Sequence, residues 1–203
     1  GNVGPATAIA AVDGSVPTVT LTSNASTPQS GAFTVTATFS EDVTGFEIGD
    51  VTVDNGSAST FAATSASVYT FDVTPAADGA VTVDVAANVA VDSAGNNNTA
   101  AMQLSVTTDG TAPTVTLTST ATSPHSGPFT VTATFSEAVT GFVIGDVTVG
   151  NGAASNFAGT GTTYTFDVTP AADGAVTIDI AANVAVDGAG NGNTANQLTV
   201  ISD

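Results

Sequence analysis

The chain has 203 residues, enough for one large domain or two the size of a small β-sandwich. It carries no Lys or Arg against 18 Asp and Glu, a formal net charge of −18, so it has nothing with which to neutralise a phosphate, and nucleic acid and anionic membrane surfaces are excluded as partners. Cysteine is absent, which removes disulfide frameworks and thiolate metal sites, and no stretch approaches the roughly 18 consecutive apolar residues of a membrane-spanning helix.

In chain order, residues 1–13 come first and match no complete repeat. Gly1-Asn2 and the alternating stretch over 6–12 parallel Gly95-Asn96 and the strand pattern after it, so 1–13 reads as the last strand and linker of a preceding repeat. With Gly1 at the start and Met102 as the single methionine, the expectation is a window onto a longer array. The alternative for 1–12 is a donor strand that adds to a neighbouring copy and builds a homopolymer.

Beyond Gly14, apolar and polar residues alternate with period two, as in Thr34-Val35-Thr36-Ala37-Thr38-Phe39, the mark of a half-buried strand. Strands are expected at 17–23, 31–40, 50–55, 59–64, 68–74, 80–86 and 99–107, with turns at Ser30-Gly31, Asn55-Gly56 and Asp78-Gly79. No useful helical period appears. The apolar share, 42%, is mostly Ala and Val with Phe 10, Tyr 2 and no Trp, which suits a thin core of β-branched side chains.

The pattern then repeats. Pro17-Thr18-Val19-Thr20-Leu21-Thr22-Ser23 returns at 113–119 and Phe33-Thr34-Val35-Thr36-Ala37-Thr38-Phe39-Ser40-Glu41 at 129–137. The register slips by one residue before Tyr164, and Asp92-Ser93-Ala94-Gly95-Asn96 returns as Asp187-Gly188-Ala189-Gly190-Asn191, with a last strand at 194–201. The fold class expected is all-β, tandem immunoglobulin-like Greek-key β-sandwiches, with repeat one at 14–109 and repeat two at 110–203.

Thr-Ala-Pro-Thr-Val-Thr-Leu-Thr (111–118), Phe-Ser-Glu (135–137), Val-Thr-Gly-Phe (139–142), Gly-Asp-Val-Thr-Val (145–149), Tyr-Thr-Phe-Asp-Val-Thr-Pro (164–170) and Asp-Gly-Ala-Gly-Asn (187–191) together resemble the bacterial Ig-like repeats of giant adhesins and cell-surface proteins. The resemblance covers nearly the whole chain twice. It implies a secreted or cell-surface extender, often stiffened by calcium. The lack of Lys departs from the pattern and puts isopeptide and sortase chemistry out of reach.

Strand direction locates the acids. The second and sixth strands of a repeat both finish at the pole where the first begins. That collects Glu41, Asp42, Asp50, Asp92 and Asn96 with the linker acid Asp13, and in the second copy Glu137, Asp146, Asp187 and Asn191 with Asp109. Asp78, at the opposite pole of the first copy, is expected to reach the same junction from the other side. With no protein cation available, converging carboxylates need water, protonation or a metal ion. An all-oxygen, irregular donor set suits structural Ca2+ better than Mg2+. The competing reading takes the same Asp and Gly residues as ordinary turn formers, with 92–96 as an Asx-type turn.

Catalytic readings are weak. His125 stands alone beside Pro124 and reads as solvated; Tyr69 and Tyr164 are one repeat position and read as packing. Asp72, Asp84, Asp167 and Asp179 oppose the apolar positions of their strands and read as solvated face. The outward Thr rows raise ice binding, although Thr is common on β faces. The expectation is a non-enzymatic extender or filament-forming segment whose repeats contact only their neighbours in the chain. The rivals are a glycan- or protein-binding module, or an accessory domain of a secreted hydrolase.

Overall fold

The computed structural model describes residues 14–203. The donor-strand and severed-strand readings of 1–12, and the linker acid Asp13, lie outside the described residues. The chain divides into two compact units between Thr108 and Asp109, so Asp109 opens the second unit.

Unit one contains β1 (Val19–Ser23), β2 (Phe33–Phe39), β3 (Val51–Asp54), β4 (Gly56–Ala63), β5 (Val68–Pro75), β6 (Gly79–Val85) and β7 (Leu104–Thr108). They form antiparallel sheets in the orders β1-β2-β5-β4 and β3-β6-β7. Unit two repeats the plan with β8 (Val115–Ser119), β9 (Phe129–Val139), β10 (Val147–Gly150), β11 (Gly152–Pro170), β12 (Gly174–Ile180) and β13 (Asn196–Ser202), in sheets β8-β9-β11 and β10-β12-β13. Each unit is a β-sandwich, and no helix among the described residues is long and apolar enough to cross a membrane.

The alternation works as period two requires. In β2 the residues Phe33, Val35, Ala37 and Phe39 point inward. They share a core with Phe71 and Val73 of β5, and with Val81, Val83 and Val85 of β6 from the facing sheet. Burying each Val or Phe contributes about 1.5–3 kcal/mol, so a core this poor in large side chains is stabilised by many small contributions. Each unit adds one aromatic cluster. Phe46 packs edge-on to Phe39 and Tyr69, with centroids 5.2 and 5.1 Å away, and Tyr69 Oη donates to the carbonyl of Val43 at 3.1 Å. Tyr69 and Tyr164 are therefore packing residues.

Several boundaries differ from expectation. The strand expected at 50–55 starts at Val51, because Ile48–Asp50 form a short 3-10 turn. The last strand of unit one begins at Leu104, not at 99, since Thr99 N–H bonds Pro17 O and Ala101 N–H bonds Val85 O outside the regular ladder. In unit two the arms matching β4 and β5 belong to one extended segment, β11. His125 is half-buried with its ring edge-on to Phe129, centroids 5.6 Å apart, and is less solvated than expected.

The four strand acids are also more enclosed than a solvated face implies. All are half-buried and accept hydrogen bonds: Asp72 from Thr34, Asp84 from Gln103, Asp167 from Thr130 and Asn156, and Asp179 from Gln197. Thr34, Thr130 and Gln197 donate from the paired strand, Gln103 from the residue before β7 and Asn156 from the other arm of β11, none of which local periodicity reveals.

One difference between the copies carries a stability prediction. In β4 the pairing with β5 slips between Ser59 and Ala62, and Thr60 there has φ 55, a left-handed conformation that a β-branched residue adopts only with strain. The matching position of unit two is Asn156, φ 52, whose Nδ2 donates to Asp167 Oδ2 at 2.9 Å. Thr60→Asn is expected to stabilise unit one by about 1 kcal/mol, since Asn tolerates this region and supplies a donor toward Asp72. Urea unfolding of the first unit measures it; an unchanged midpoint contradicts the strain argument.

Candidate cation-binding site

Three segments of unit two build the site. The first is the leading segment that starts at Asp109. It lies between the other two, with Pro113 O accepting from Thr194 N–H at 2.8 Å and Thr114 O accepting from Ser136 N–H at 2.8 Å. The second is the far end of β9, which runs on to Val139 and carries Glu137. The third is the loop between β12 and β13, pinned to the chain beyond β9 by the paired bonds of Thr140 with Val186 at 2.8 and 3.0 Å.

Sequence reasoning did not single out what fixes that loop. Asn193, only 1% exposed, accepts at Oδ1 from Val184 N–H (3.0 Å) and Ala185 N–H (2.8 Å) and donates from Nδ2 to Ala181 O (2.9 Å) and Thr194 O (2.8 Å). Its full hydrogen-bonding capacity is used on backbone groups of one loop. Asn98, 2% exposed, repeats the set in unit one with Val89, Ala90, Ala86 and Thr99. The recurring pattern Asn96-x-Asn98-Thr99 and Asn191-x-Asn193-Thr194 was the available signal.

On this loop Asp187 is 6% exposed. Its Oδ1 accepts from Ala189 N–H (2.8 Å) and Asn191 N–H (2.9 Å), and Oδ2 accepts from Asn191 Nδ2 (2.9 Å). Burial pushes its carboxyl up, but the side-chain and backbone donors of Asn191, with those of Ala189 and Gly190, outweigh it and hold the group below its ordinary 3.8. The depressed value means that this carboxylate stabilises the fold above about pH 4, a contribution lost as the pH falls through its folded pKa. Asp92 is held the same way in unit one, chiefly by the Asn96 amide, with bonds of 2.8 Å from Ala94 N–H, Asn96 N–H and Asn96 Nδ2.

Asp109, Glu137 and Asp187 converge: one carboxylate oxygen from each lies within 4.8 Å of the others. At such a separation two unit charges repel by roughly 3 kcal/mol at an effective dielectric constant near 20, and the chain holds no Lys or Arg to offset it. The donors are all hard oxygens, with no His or Cys among them, which fits Ca2+ or Mg2+ and not zinc or copper. Three of the roughly four acceptor directions of the Asp187 carboxylate are occupied by its own loop.

The other expected ligands are not in this group. The Oδ2 of Asp146 accepts Val143 N–H at 2.8 Å and closes the 3-10 turn Ile144–Asp146. Asp50 does the same for Glu47 N–H at 2.8 Å. In both, one carboxylate oxygen caps a turn three residues long. Glu41 is half-buried and Asp92 buried in unit one, while their expected partner Asp13 lies outside the described residues. Asp78 is exposed in the turn before β6 and belongs to the first unit, not to the one that holds the three carboxylates.

Solved structures to which the chain is similar include the adhesin InvE of Yersinia pseudotuberculosis, at 13% identity and TM-score 0.32, and InvD of the same organism, at 12% and 0.32. Each alignment covers 92% of this chain and 58% of the other, so the chain spans 58% of the length of either structure. No curated protein matches the sequence. The model of the bacterial Ig-like domain matches residues 13–108 and again 109–201. With that family's pattern running through both sandwiches, the chain belongs to the bacterial Ig-like domain family, in two tandem copies.

Proposed function

We propose that the two domains form a structural extender or filament-forming segment of an extracellular bacterial surface protein, stiffened by Ca2+ held at Asp109, Glu137 and Asp187. The observation that carries this reading is the convergence of three carboxylates, from the leading segment, a strand end and a loop, in a chain without a basic residue. Asp109 is the residue at which the chain passes from one unit to the next, so immobilising it removes freedom from the linkage. Tandem domains in such an array add length in proportion to copy number. When bound, Ca2+ supplies charge neutralisation; the protein's part is to hold the carboxylates close enough to share it.

Calcium at 100 times its dissociation constant stabilises a folded domain by roughly 2.7 kcal/mol, which for a unit of this size is a rise in melting temperature on the order of 10–20 °C. The full chain is expected to show that rise for its second unit, relative to chelator, at tens of millimolar Ca2+, about 100 times the dissociation constant of roughly 10⁻⁴–10⁻³ M usual for extracellular calcium modules, with a smaller rise in Mg2+. Asp187→Asn, which keeps the side-chain shape and removes the charge, is expected to lose most of it. Identical melting curves with and without chelator contradict the calcium reading.

A further inference from the structure

Asn191 makes a contact that the loop does not need for its own turn. Its backbone N–H and one amide hydrogen serve Asp187, while its carbonyl accepts Asp187 N–H at 3.1 Å. Those bonds complete a local ring. The second amide hydrogen goes to the main-chain carbonyl of Asp109, 2.9 Å away and 82 residues earlier in sequence. Asp109 in turn accepts Thr111 N–H on its Oδ1 at 3.2 Å.

We infer that Asn191 is a positioning residue, an uncharged latch that ties the backbone of Asp109 to the loop without an ion and so sets the spacing of the three carboxylates. The latch is a statement about the ion-free protein; only its effect on calcium affinity rests on the function proposed above. A carboxamide suits the position because it offers two donors and no charge. Asp at 191 would replace both donors with a fourth negative charge among groups that already repel, and Ala would leave the Asp109 carbonyl and Asp187 Oδ2 without this partner. With the backbone tied, mutual repulsion can turn the Asp109 side chain but cannot drive its segment away from the loop.

The test uses the full chain with Asn191→Ala and the near-isosteric Asn191→Asp, both in chelator. Amide hydrogen exchange at Thr111 is expected to quicken at least tenfold in each variant, while exchange in the centre of β12, at Ile178, stays at the wild-type rate. That split separates loss of the latch from general destabilisation, which would raise both, and unchanged β12 protection shows that the variant is folded. Calorimetric titration with Ca2+ is expected to show at least tenfold weaker binding for Asn191→Ala. Thr111 exchange at the wild-type rate in both variants, or a rise matched by Ile178, overturns the inference. Faster Thr111 exchange in a protein whose wild type binds no Ca2+ upholds the latch and removes the calcium reading alone.

Discussion

Asn193→Ala is expected to destabilise the second unit by about 3–5 kcal/mol, because it breaks a buried hydrogen-bond network. The side chain is 1% exposed and satisfies four backbone groups at once, the N–H groups of Val184 and Ala185 and the carbonyls of Ala181 and Thr194. Removing it leaves those groups without partners in a space too enclosed for water to replace all four bonds. For a unit of this size, 3 kcal/mol corresponds to a fall in melting temperature of roughly 12–24 °C. Asn98→Ala should act alike on unit one, where the same four-bond set holds Val89, Ala90, Ala86 and Thr99. Asn193→Asp keeps the acceptor but turns a buried carboxylate oxygen toward the carbonyls of Ala181 and Thr194 with no Lys or Arg in the chain to pair it, so near neutral pH its loss should be at least as large as that of Ala. Urea unfolding in chelator measures all three, and a loss under about 1 kcal/mol for Asn193→Ala would show that the loop is held by other contacts.

Phe142→Ala is expected to have an effect of similar size by a different mechanism. The ring is 4% exposed at the centre of an aromatic cluster, with centroids 5.3 Å from Phe135, 5.5 Å from Phe157 and 5.1 Å from Tyr164, all edge-on. Truncation removes the buried area, leaves a cavity in a sandwich with few large side chains to collapse into it, and breaks three aromatic contacts. Such substitutions cost about 3–5 kcal/mol. Phe142→Leu refills much of the volume and should lose under about 2 kcal/mol. The two variants should differ clearly in their urea midpoints; equal losses would mean that the aromatic geometry, not the cavity, dominates. Phe135 lies on β9 two residues before Glu137, so Phe142→Ala is also expected to weaken the Ca2+ binding proposed above.

The fold was legible because its signals are local. Alternation in Thr34-Val35-Thr36-Ala37-Thr38-Phe39 reports which side of a pleated strand meets water, and each expected inward residue of that strand is buried. The recurrence of 17–23 at 113–119 reports a second unit built on the same plan. Strand direction then sufficed to bring Asp109, Glu137 and Asp187 to one pole. It did not show that Asp146, whose Oδ2 accepts Val143 N–H in the 3-10 turn, stands outside the group of three that lie within 4.8 Å of one another. Thr99 to Gln103 read as strand because their composition is strand-like, yet their backbone bonds go to Pro17 and Val85 outside the ladder.

Sequence by itself therefore determined the strand faces, the doubling of the domain, the absence of any basic partner for 18 acids, and the set of carboxylates from which a site could be drawn. These rest on side-chain periodicity and composition, which do not depend on loop paths. Only the tertiary structure decided which carboxylates meet and what holds them. That choice depends on backbone turns at single residues, such as Asn183 at φ 62 and Gly190 at φ 90, and on a hydrogen bond from Asn191 to Asp109 that spans 82 positions. A 4.8 Å convergence is set by those dihedrals and that register, and neither leaves a periodic trace in the chain.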